Sequence, residues 1–435
     1  MRLAVFTNKF PSRISTFFAR DMRALIDAGV TLDIFPFYPL DSALWRYVPD
    51  LLNEDVLPRE RIHHIGLRDT FKAEKWLDPK LRRFASDMLA VNSSAAKYGI
   101  RRLAKTVYSA LKALAWARQQ NDGYDHVLAY WGNYAATSAF LFHRLLDRSI
   151  PFSMFLHAGM DLYEGPVYMR EKLIYADNVI VVCDFNRRYL RDRYPDIFPS
   201  ISHKIHKYHL GIDLAEFRYV SSERQSKTIL AVGALEKYKG FDYLLRAGEL
   251  MKRHAVDYEI AIAGDGSERN SLKSLADNLN IQHKVRFLGW LRPDEVRKAM
   301  SIATLLVHPS NGVGDAVPTV IKEAMALGTP VVASSIAGIP ELLHDGKCGL
   351  LVPPGNPSAL ADAIETLLKN QPLRMTFSES GRKYAEQEFD LWQNGRRLAA
   401  LLASSRRLSH DCCAPAMSFP QSDSRARAGN GGEAI

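Results

Sequence analysis

Short runs of aliphatic and β-branched residues recur along this chain with helical stretches between them, and that alternation limits the folds open to it more than any other feature. The opening RLAVF, the segment FFARDMRALIDAG closed by Gly29, and VTLDIFPF read as strand, helix and strand. Comparable runs follow at YDHVLAYW, PFSMFLHA, NVIVVC, TILAVGAL, YEIAIAGDG, KVRFLGW, ATLLVHPS and TPVVASS. Nearly continuous apolar runs belong to strands covered on both faces, as in parallel sheets. Strands alternating with helices over the whole length predict an α/β protein built from doubly wound sheets. One sheet of so many strands would be unusually wide, so two Rossmann-like domains are expected, over residues 1–205 and 227–404, joined by a linker at 206–226.

Two stretches break the rhythm. Residues 68–120 read as a helical insertion rich in lysine and arginine, and 405–435 lose periodicity and read as a disordered tail. With 435 residues, 47% of them apolar, the chain is an ordinary globular protein with material for two large cores. Cys183, Cys348, Cys412 and Cys413 have no metal-ligand spacing and are too few for a disulfide framework, which points to a reducing compartment. LAVF is too short for the apolar region of a signal peptide, and no run of about 18 apolar residues predicts a membrane span. A cytoplasmic protein is expected. The net charge of +9 favours anionic partners without choosing among phosphorylated substrates, nucleic acid and an anionic bilayer.

The densest constellation runs from His308 to Ser335, HPSNGVGDAVPTVIKEAMALGTPVVASS. A strand-like run enters a glycine-containing loop, Pro318 stands where the first helical turn should begin, and Gly328 closes the helix. Backbone amides from Val317 to Ile321 would then face out of the carboxyl edge of the sheet with the helix dipole behind them, which suits a phosphate. Asp315 precedes that helix start and Glu323 lies in the helix, so one acid can meet a sugar and the other a ribose, with a diphosphate between them. A plain strand-to-helix connection with two solvated acids fits the same spacing. In VGALEKYKGFDYLLRA, Lys239 before Gly240 can neutralise a phosphate from the opposite side, or be a surface lysine. AGDGSERNSL lacks dinucleotide spacing, and its glycines read as structural. FLHAGMDLY sets His157 and Asp161 just past a buried strand, where open α/β sheets carry their sites, although a structural histidine fits there too. No Ser-His-Asp ordering, Walker loop or metal-ligand cluster is found.

Together these segments resemble the family-4 retaining glycosyltransferases over most of the chain before the tail. The most specific part is an acidic residue, seven others, then Glu-Ala-Met-Ala-x-Gly-x-Pro-Val-Val, continued by AGIPELLHDGKCGLLVPPGN. The resemblance implies the GT-B fold, with two facing Rossmann-type domains and a deep cleft between an acceptor-side first domain and a second domain that holds a nucleotide sugar. It implies that Gly233, Lys239, Val317, Pro318, Thr319, Val320 and Ile321 grip the donor diphosphate and that Glu323 holds the ribose. Phe287 and Leu288 would lie along the nucleobase. His157, Asp315 and Glu323 become the catalytic set, with His157 beside the donor sugar and Asp315 near the reacting carbon. FPSRISTFFARDMRAL is similar to a subgroup that builds bacterial surface polysaccharides, matching at Thr16, Phe17, Phe18, Arg20 and Arg23 and departing at Ile14 and Ser15. Two further departures stand out: the arginine expected five residues before Lys239 is Ala234, and the polar residue often found in the strand ending AYWG is Tyr130.

The implied reaction moves a hexose from a nucleoside diphosphate to a saccharide or lipid-linked saccharide, with retention of configuration. No cofactor and no essential metal are expected, because Lys239 and the helix start can stabilise the departing diphosphate. Lys239 and Glu323 are both expected to line an open cleft, so replacing either should spare the fold. Arg101, Arg102, Lys105 and Lys112 lie among Ile100, Leu103, Val107, Leu111 and Leu114 at near-helical spacing. That pattern suits contact with an anionic lipid-linked acceptor at the inner face of the cytoplasmic membrane, or a helix packed on its own domain with a solvated basic face. A non-catalytic nucleotide-sugar-binding or scaffold protein on the same fold is the alternative function. No nucleic-acid motif accompanies the charge, so no nucleic-acid partner is expected.

Overall fold

The computed structural model describes residues 1–12, 16–47, 55–66, 79–119, 123–146, 149–163, 166–220 and 227–405. Twelve strands form two parallel sheets of six. The first holds β1 (Arg2–Thr7), β2 (Thr31–Pro36), β3 (His126–Ala129), β4 (Phe152–Leu156), β5 (Asn178–Val181) and β6 (Ile205–Lys207), in the order β2-β1-β3-β4-β5-β6. The second holds β7 (Thr228–Val232), β8 (Glu259–Ala263), β9 (Val285–Gly289), β10 (Leu305–His308), β11 (Val331–Ser334) and β12 (Leu350–Val352), in the order β12-β11-β10-β7-β8-β9. Both orders reverse direction beside the first strand of their sheet. Crevices form at such reversals, outside the carboxyl ends of the strands.

The period of two along each strand divides the apolar side chains between two cores. Leu3 and Val5 go to one face of β1, Ala4 and Phe6 to the other, and all four are fully buried. In the second sheet Ile229 and Ala231 face one core and Leu230 the opposite one. This two-sided burial is why the runs read as continuous rather than alternating.

Helix α1 (Thr16–Asp27) follows β1, and the insertion between β2 and β3 contains α2 (Pro79–Ala96) and α3 (Ile100–Gln119). Residues 68–78 and 120 of the predicted insertion lie outside the described residues, as do 221–226 of the linker and 406–435 of the tail. Helix α3 packs against α4 (Tyr134–Leu145), with Trp116 fully buried and its indole N–H donating to His63 O at 2.9 Å. Lys112 is also fully buried: its Nζ donates to Pro36 O at 2.9 Å and Phe37 O at 2.6 Å. The expectation that Lys112 shares an exposed basic face is therefore corrected; it satisfies carbonyls at the end of β2, and burial pulls its ammonium down to about 7.

The rest of the framework uses α5 (Phe241–Arg253), α6 (Pro293–Ile302), α7 (Thr319–Leu327), α8 (Gln371–Glu388) and α9 (Leu391–Ser404). Helix α9 returns to the first domain. Leu398 and Leu402 enter its core, and Gly395 allows a close crossing with α1, where a Cβ would stand 2.4 Å from that of Ala24. Behind the two sheets, Lys207 and His209 of the first half meet Glu341 at 2.7 and 3.2 Å. Burial opposes ionisation of Glu341, but the hydrogen bonds from His209 and Lys207 bring its carboxyl down to about 2. No helix among the described residues is long and apolar enough to cross a membrane.

Candidate functional site

A cleft of about 770 Å³ opens at the carboxyl edge of the second sheet and takes its opposite wall from the start of α1. The lining from the second domain includes Val232 and Gly233 at the end of β7, Ala263 and Gly264 at the end of β8, and Asp315 to Val320 after β10, with Ala316 excepted. Lys239 ends a short helical turn that is followed by Gly240 at φ 68°. A Cβ on Gly240 would lie 2.1 Å from Pro309 O, so both backbone sign and space require glycine there. The turn places Lys239 Nζ 2.7 Å from Asp315 Oδ2, and His308 Nε2 lies 2.6 Å from the same oxygen. Burial alone would favour a protonated Asp315, yet the charges and hydrogen bonds of His308 and Lys239 hold its carboxyl well below the usual range.

At the start of α7, Val317, Pro318, Thr319 and Val320 line the cleft. Pro318 is the N-cap residue and has no N–H to offer. Ile321 is fully buried in the second core, and its N–H turns back to Pro318 O at 3.3 Å. The backbone donors presented to the cleft by this stretch therefore come from Val317, Thr319 and Val320.

Glu323 lines the cleft but is only 8% exposed, and its Oε1 accepts a hydrogen bond from Arg20 Nη1 at 2.7 Å. Arg20 is 3% exposed and lies over the Phe217 ring at 5.3 Å. The expected open-cleft carboxylate is thus a buried ion pair joining α1 of the first domain to α7 of the second. Removing Glu323 strands a buried guanidinium, so the expectation that the fold would be spared is corrected for this residue. Arg297 of α6 lies over Phe217 at 5.9 Å, lines the cleft and pairs with Glu216.

The first-domain wall carries Thr16, Phe17, Arg20 and Arg23; Ile14 and Ser15 lie outside the described residues. Phe17 meets His157, with ring centroids 5.4 Å apart. His157 follows β4, is 6% exposed and stacks on Trp131 at 4.6 Å. Neither ring nitrogen of His157 has a partner among the described residues. Burial and the Lys322 charge push its imidazole down to about 3, so the ring is neutral near pH 7. Its backbone N–H donates to Asp161 Oδ2 at 2.7 Å, and burial raises that carboxyl to about 7. Tyr130, where a polar residue was expected from the resemblance, is fully buried and donates its hydroxyl to Asp21 Oδ2 at 2.5 Å.

Phe287 packs against one core of the second domain and Leu288 against the other. The cleft beside them is lined by Trp290, Leu291, Pro293 and Val296. Ala234 lines the cleft, so the missing guanidinium leaves open space there. Sequence reasoning passed over His308, Trp290 and Arg297. His308 ends a buried strand at the carboxyl edge, the same signal that singled out His157, whereas Arg297 carries no sequence mark. Among the described residues no group of three or more His, Cys, Asp or Glu side chains is placed to hold a metal ion.

Residues 215–384 match the family of glycosyl transferases group 1. An uncharacterized glycosyltransferase of Methanocaldococcus jannaschii is 32% identical over 219 residues, 47% of this chain and 55% of that protein. The amylovoran biosynthesis glycosyltransferase AmsK of Erwinia amylovora is 24% identical over 417 residues, 92% of this chain and 99% of its own. The chain spans about half the length of the first curated relatives it matches, and nearly all of AmsK. Among solved structures, Anabaena HepE in complex with UDP and glucose superposes with a TM-score of 0.63 at 17% identity, over 93% of this chain and 100% of that one. Sucrose-phosphate synthase from Thermosynechococcus elongatus gives 0.66 at 19% identity, over 93% and 98%. At these identities the likeness is one of fold.

Proposed function

This chain belongs with the group 1 glycosyltransferases on a GT-B fold, and from that premise we propose that it is a retaining hexosyltransferase of polysaccharide biosynthesis. In this reading a nucleoside-diphosphate sugar gives its hexose to a saccharide or lipid-linked saccharide. The observation that carries it is the convergence of Lys239, the α7 start and Glu323 on one cleft faced by His157's neighbour Phe17. AmsK, named for amylovoran biosynthesis and alignable over nearly the whole chain, supports the polysaccharide context.

The backbone donors of Val317, Thr319 and Val320 would hold the diphosphate, and Lys239 would exchange its contact with Asp315 for a phosphate oxygen. Glu323 would take the ribose hydroxyls while Arg20 keeps its carboxylate in place. As the bond from the anomeric carbon to the diphosphate breaks, negative charge grows where Lys239 and the helix start already point. The acceptor oxygen bonds to that carbon from the same face, and its proton passes to the departing phosphate oxygen. Asp315, kept ionised, would accept hydrogen bonds from the sugar near the reacting carbon. Neutral His157 would orient the sugar without adding charge. No metal or cofactor enters this scheme. Closure of the first domain over the cleft would exclude water from the reacting carbon.

Ala234 removes one charge-assisted phosphate contact, worth about 1.5–3 kcal/mol, and favours the second reading, a nucleotide-sugar-binding protein without turnover. A thermal-shift screen against UDP, GDP, ADP and their sugar conjugates tests the main reading, since a ligand bound only by the folded state raises the melting temperature. A shift with one diphosphate, lost in Lys239→Ala, together with transfer from its sugar conjugate, is expected. A shift with no transfer from any conjugate would favour the binding protein; no shift at all in folded protein would remove both readings.

A cytoplasmic location at the inner membrane face belongs to the same proposal. Ile100 is 76% exposed at the start of α3, beside the exposed Arg101 and Lys105. Sedimentation with anionic vesicles at low salt checks this, and protein left in the supernatant would remove the membrane contact.

A further inference from the structure

A second cavity, of about 470 Å³, lies over the carboxyl ends of the first sheet. Its lining comes from the loops that follow four adjacent strands: Tyr38 after β2, Asn8 after β1, Asn133 after β3 and Asp161 after β4. Ligands of open α/β sheets bind at this edge. The roof is the first turns of α3, which bring Arg101, Arg102 and Lys105 to the rim.

The floor and the rim differ in chemistry. Asp161 is 2% exposed and its carboxylate draws on the backbone N–H groups of His157, Gly132 and Asn133, whereas Asn8 Oδ1 and Asn133 Oδ1 are buried without a hydrogen-bond partner among the described residues. Buried polar oxygens without partners are costly to the fold, and ligand hydroxyls would relieve that cost. At the rim Lys105 Nζ donates to Tyr38 Oη at 3.2 Å and lies 5.3 Å from the Tyr134 ring centroid. No ion pair joins Lys105 or Arg101 to a carboxylate among the described residues, and both side chains are exposed. Among the described residues that line the cavity, Arg101, Arg102 and Lys105 are the cations and Asp161 is the acid.

This cavity also adjoins the donor cleft. His157 separates them: its ring meets Phe17, which lines the cleft, and its backbone N–H is held by Asp161, which lines the second cavity.

We infer that the second cavity is a saccharide site selective for an anionic sugar, its hydroxyls on Asp161, Asn8 and Asn133 and its phosphate or carboxylate on Arg101, Arg102 and Lys105. The inference rests on the transferase reading for the identity of the ligand as acceptor, and on this cavity alone for its charge. A neutral sugar would make no charge-assisted contact with Arg101 and Lys105; an anionic one gains such contacts, which are stronger than neutral hydrogen bonds.

Ligand-observed saturation-transfer NMR on the full chain tests it, with the nucleoside diphosphate that gives a thermal shift present at saturation to fill the cleft. The probes are glucose 1-phosphate, galactose 1-phosphate, glucuronate and galacturonate, each against the matching neutral methyl glycoside. The expected result is transfer to anionic members and not to their neutral counterparts, with affinity about tenfold or more weaker in Arg101→Ser/Lys105→Ser, as for the loss of one charged contact. Both substituted residues are exposed, so this variant keeps the fold. Lys239→Ala should leave the sugar signals unchanged. Binding confined to the sugar phosphates marks a phosphate-linked acceptor, and binding confined to the uronates marks an acidic sugar residue; either supports the inference. Equal response to neutral and anionic sugars, no response from any anionic probe, or a response indifferent to Arg101→Ser/Lys105→Ser overturns it. Failure of every diphosphate to bind would instead count against the transferase reading, since the sugar measurement can be made without nucleotide.

Discussion

At the carboxyl edge of the second sheet the groups proposed to hold the ligand are the backbone at Gly233, Gly264, Val317, Thr319 and Val320, with Lys239 and Asp315 as the charged pair. At the carboxyl edge of the first sheet they are side chains: Asn8, Tyr38, Asn133, Asp161 and the cations of α3. The sheets have the same parallel architecture, so the difference lies in what the loops are asked to supply. A backbone site needs particular residues for its turns, such as Gly240 and Pro318, and leaves a local sequence pattern. A side-chain site draws on positions scattered from 8 to 161 and leaves none. The family match at 215–384 covers the first kind of site and stops short of the second.

The largest effect expected is at the buried Arg20–Glu323 pair that joins the two halves. Glu323→Ala should cost about 3–5 kcal/mol in chemical denaturation, because Arg20 keeps its burial and loses its carboxylate. Glu323→Gln should cost less, since an amide oxygen can still accept from the guanidinium. An unchanged denaturation midpoint for Glu323→Ala would mean the halves are not tied there. Leu398→Ala comes next, at about 2–5 kcal/mol, for a fully packed α9 side chain in the first-domain core. If that variant left the unfolding curve unmoved, α9 would not be part of the first domain.

Lys239→Ala should weaken the selected nucleoside diphosphate by about 1.5–3 kcal/mol and cost less stability than Glu323→Ala, because His308 still holds Asp315. Calorimetry measures the first and thermal melting the second, and equal losses in both would make Lys239 structural.

A smaller effect distinguishes the halves by pH. Burial lowers His64 and His126 to about 4 and His157 to about 3, all in the first domain. Each is neutral when folded and takes a proton when unfolded between those values and about 6.5, so it contributes stability above about 6.5 that is lost as the pH falls toward 4. Asp21 and Asp161, raised to about 7 by burial, act oppositely, because the folded state holds their protons. His126→Asn isolates one contribution: between pH 6 and 4.5 its stability should fall less steeply than that of the parent, by up to about 1.4 kcal/mol per pH unit. Identical slopes would show that His126 is not held neutral.

Much of the fold was legible from residues 2 to 7 or 229 to 231, because a strand buried on both faces has little choice but to be apolar throughout. The helix boundaries around Pro318 and Gly240 were legible for the same kind of local reason. Glu323 was legible as an acid at the carboxyl edge of the second sheet, but its burial was not, since its partner Arg20 stands 303 positions away. Lys112 shows the opposite failure: helical spacing put it with Arg101 and Lys105, and only the end of β2 reveals why a lysine is buried there. The resemblance implies Phe287 and Leu288 along the nucleobase; both pack against the cores, and Trp290 and Leu291 a few positions further on line the cleft.

The proposed division of roles gives the donor to the second-sheet edge and not to the first. Calorimetric titration of UDP, GDP and ADP into the parent protein, Lys239→Ala and Arg101→Ser/Lys105→Ser tests it. One diphosphate should bind the parent, with at least about tenfold weaker binding in Lys239→Ala and parental affinity in Arg101→Ser/Lys105→Ser. Parental affinity in Lys239→Ala with loss in the α3 variant would place the nucleotide on the first sheet and contradict it.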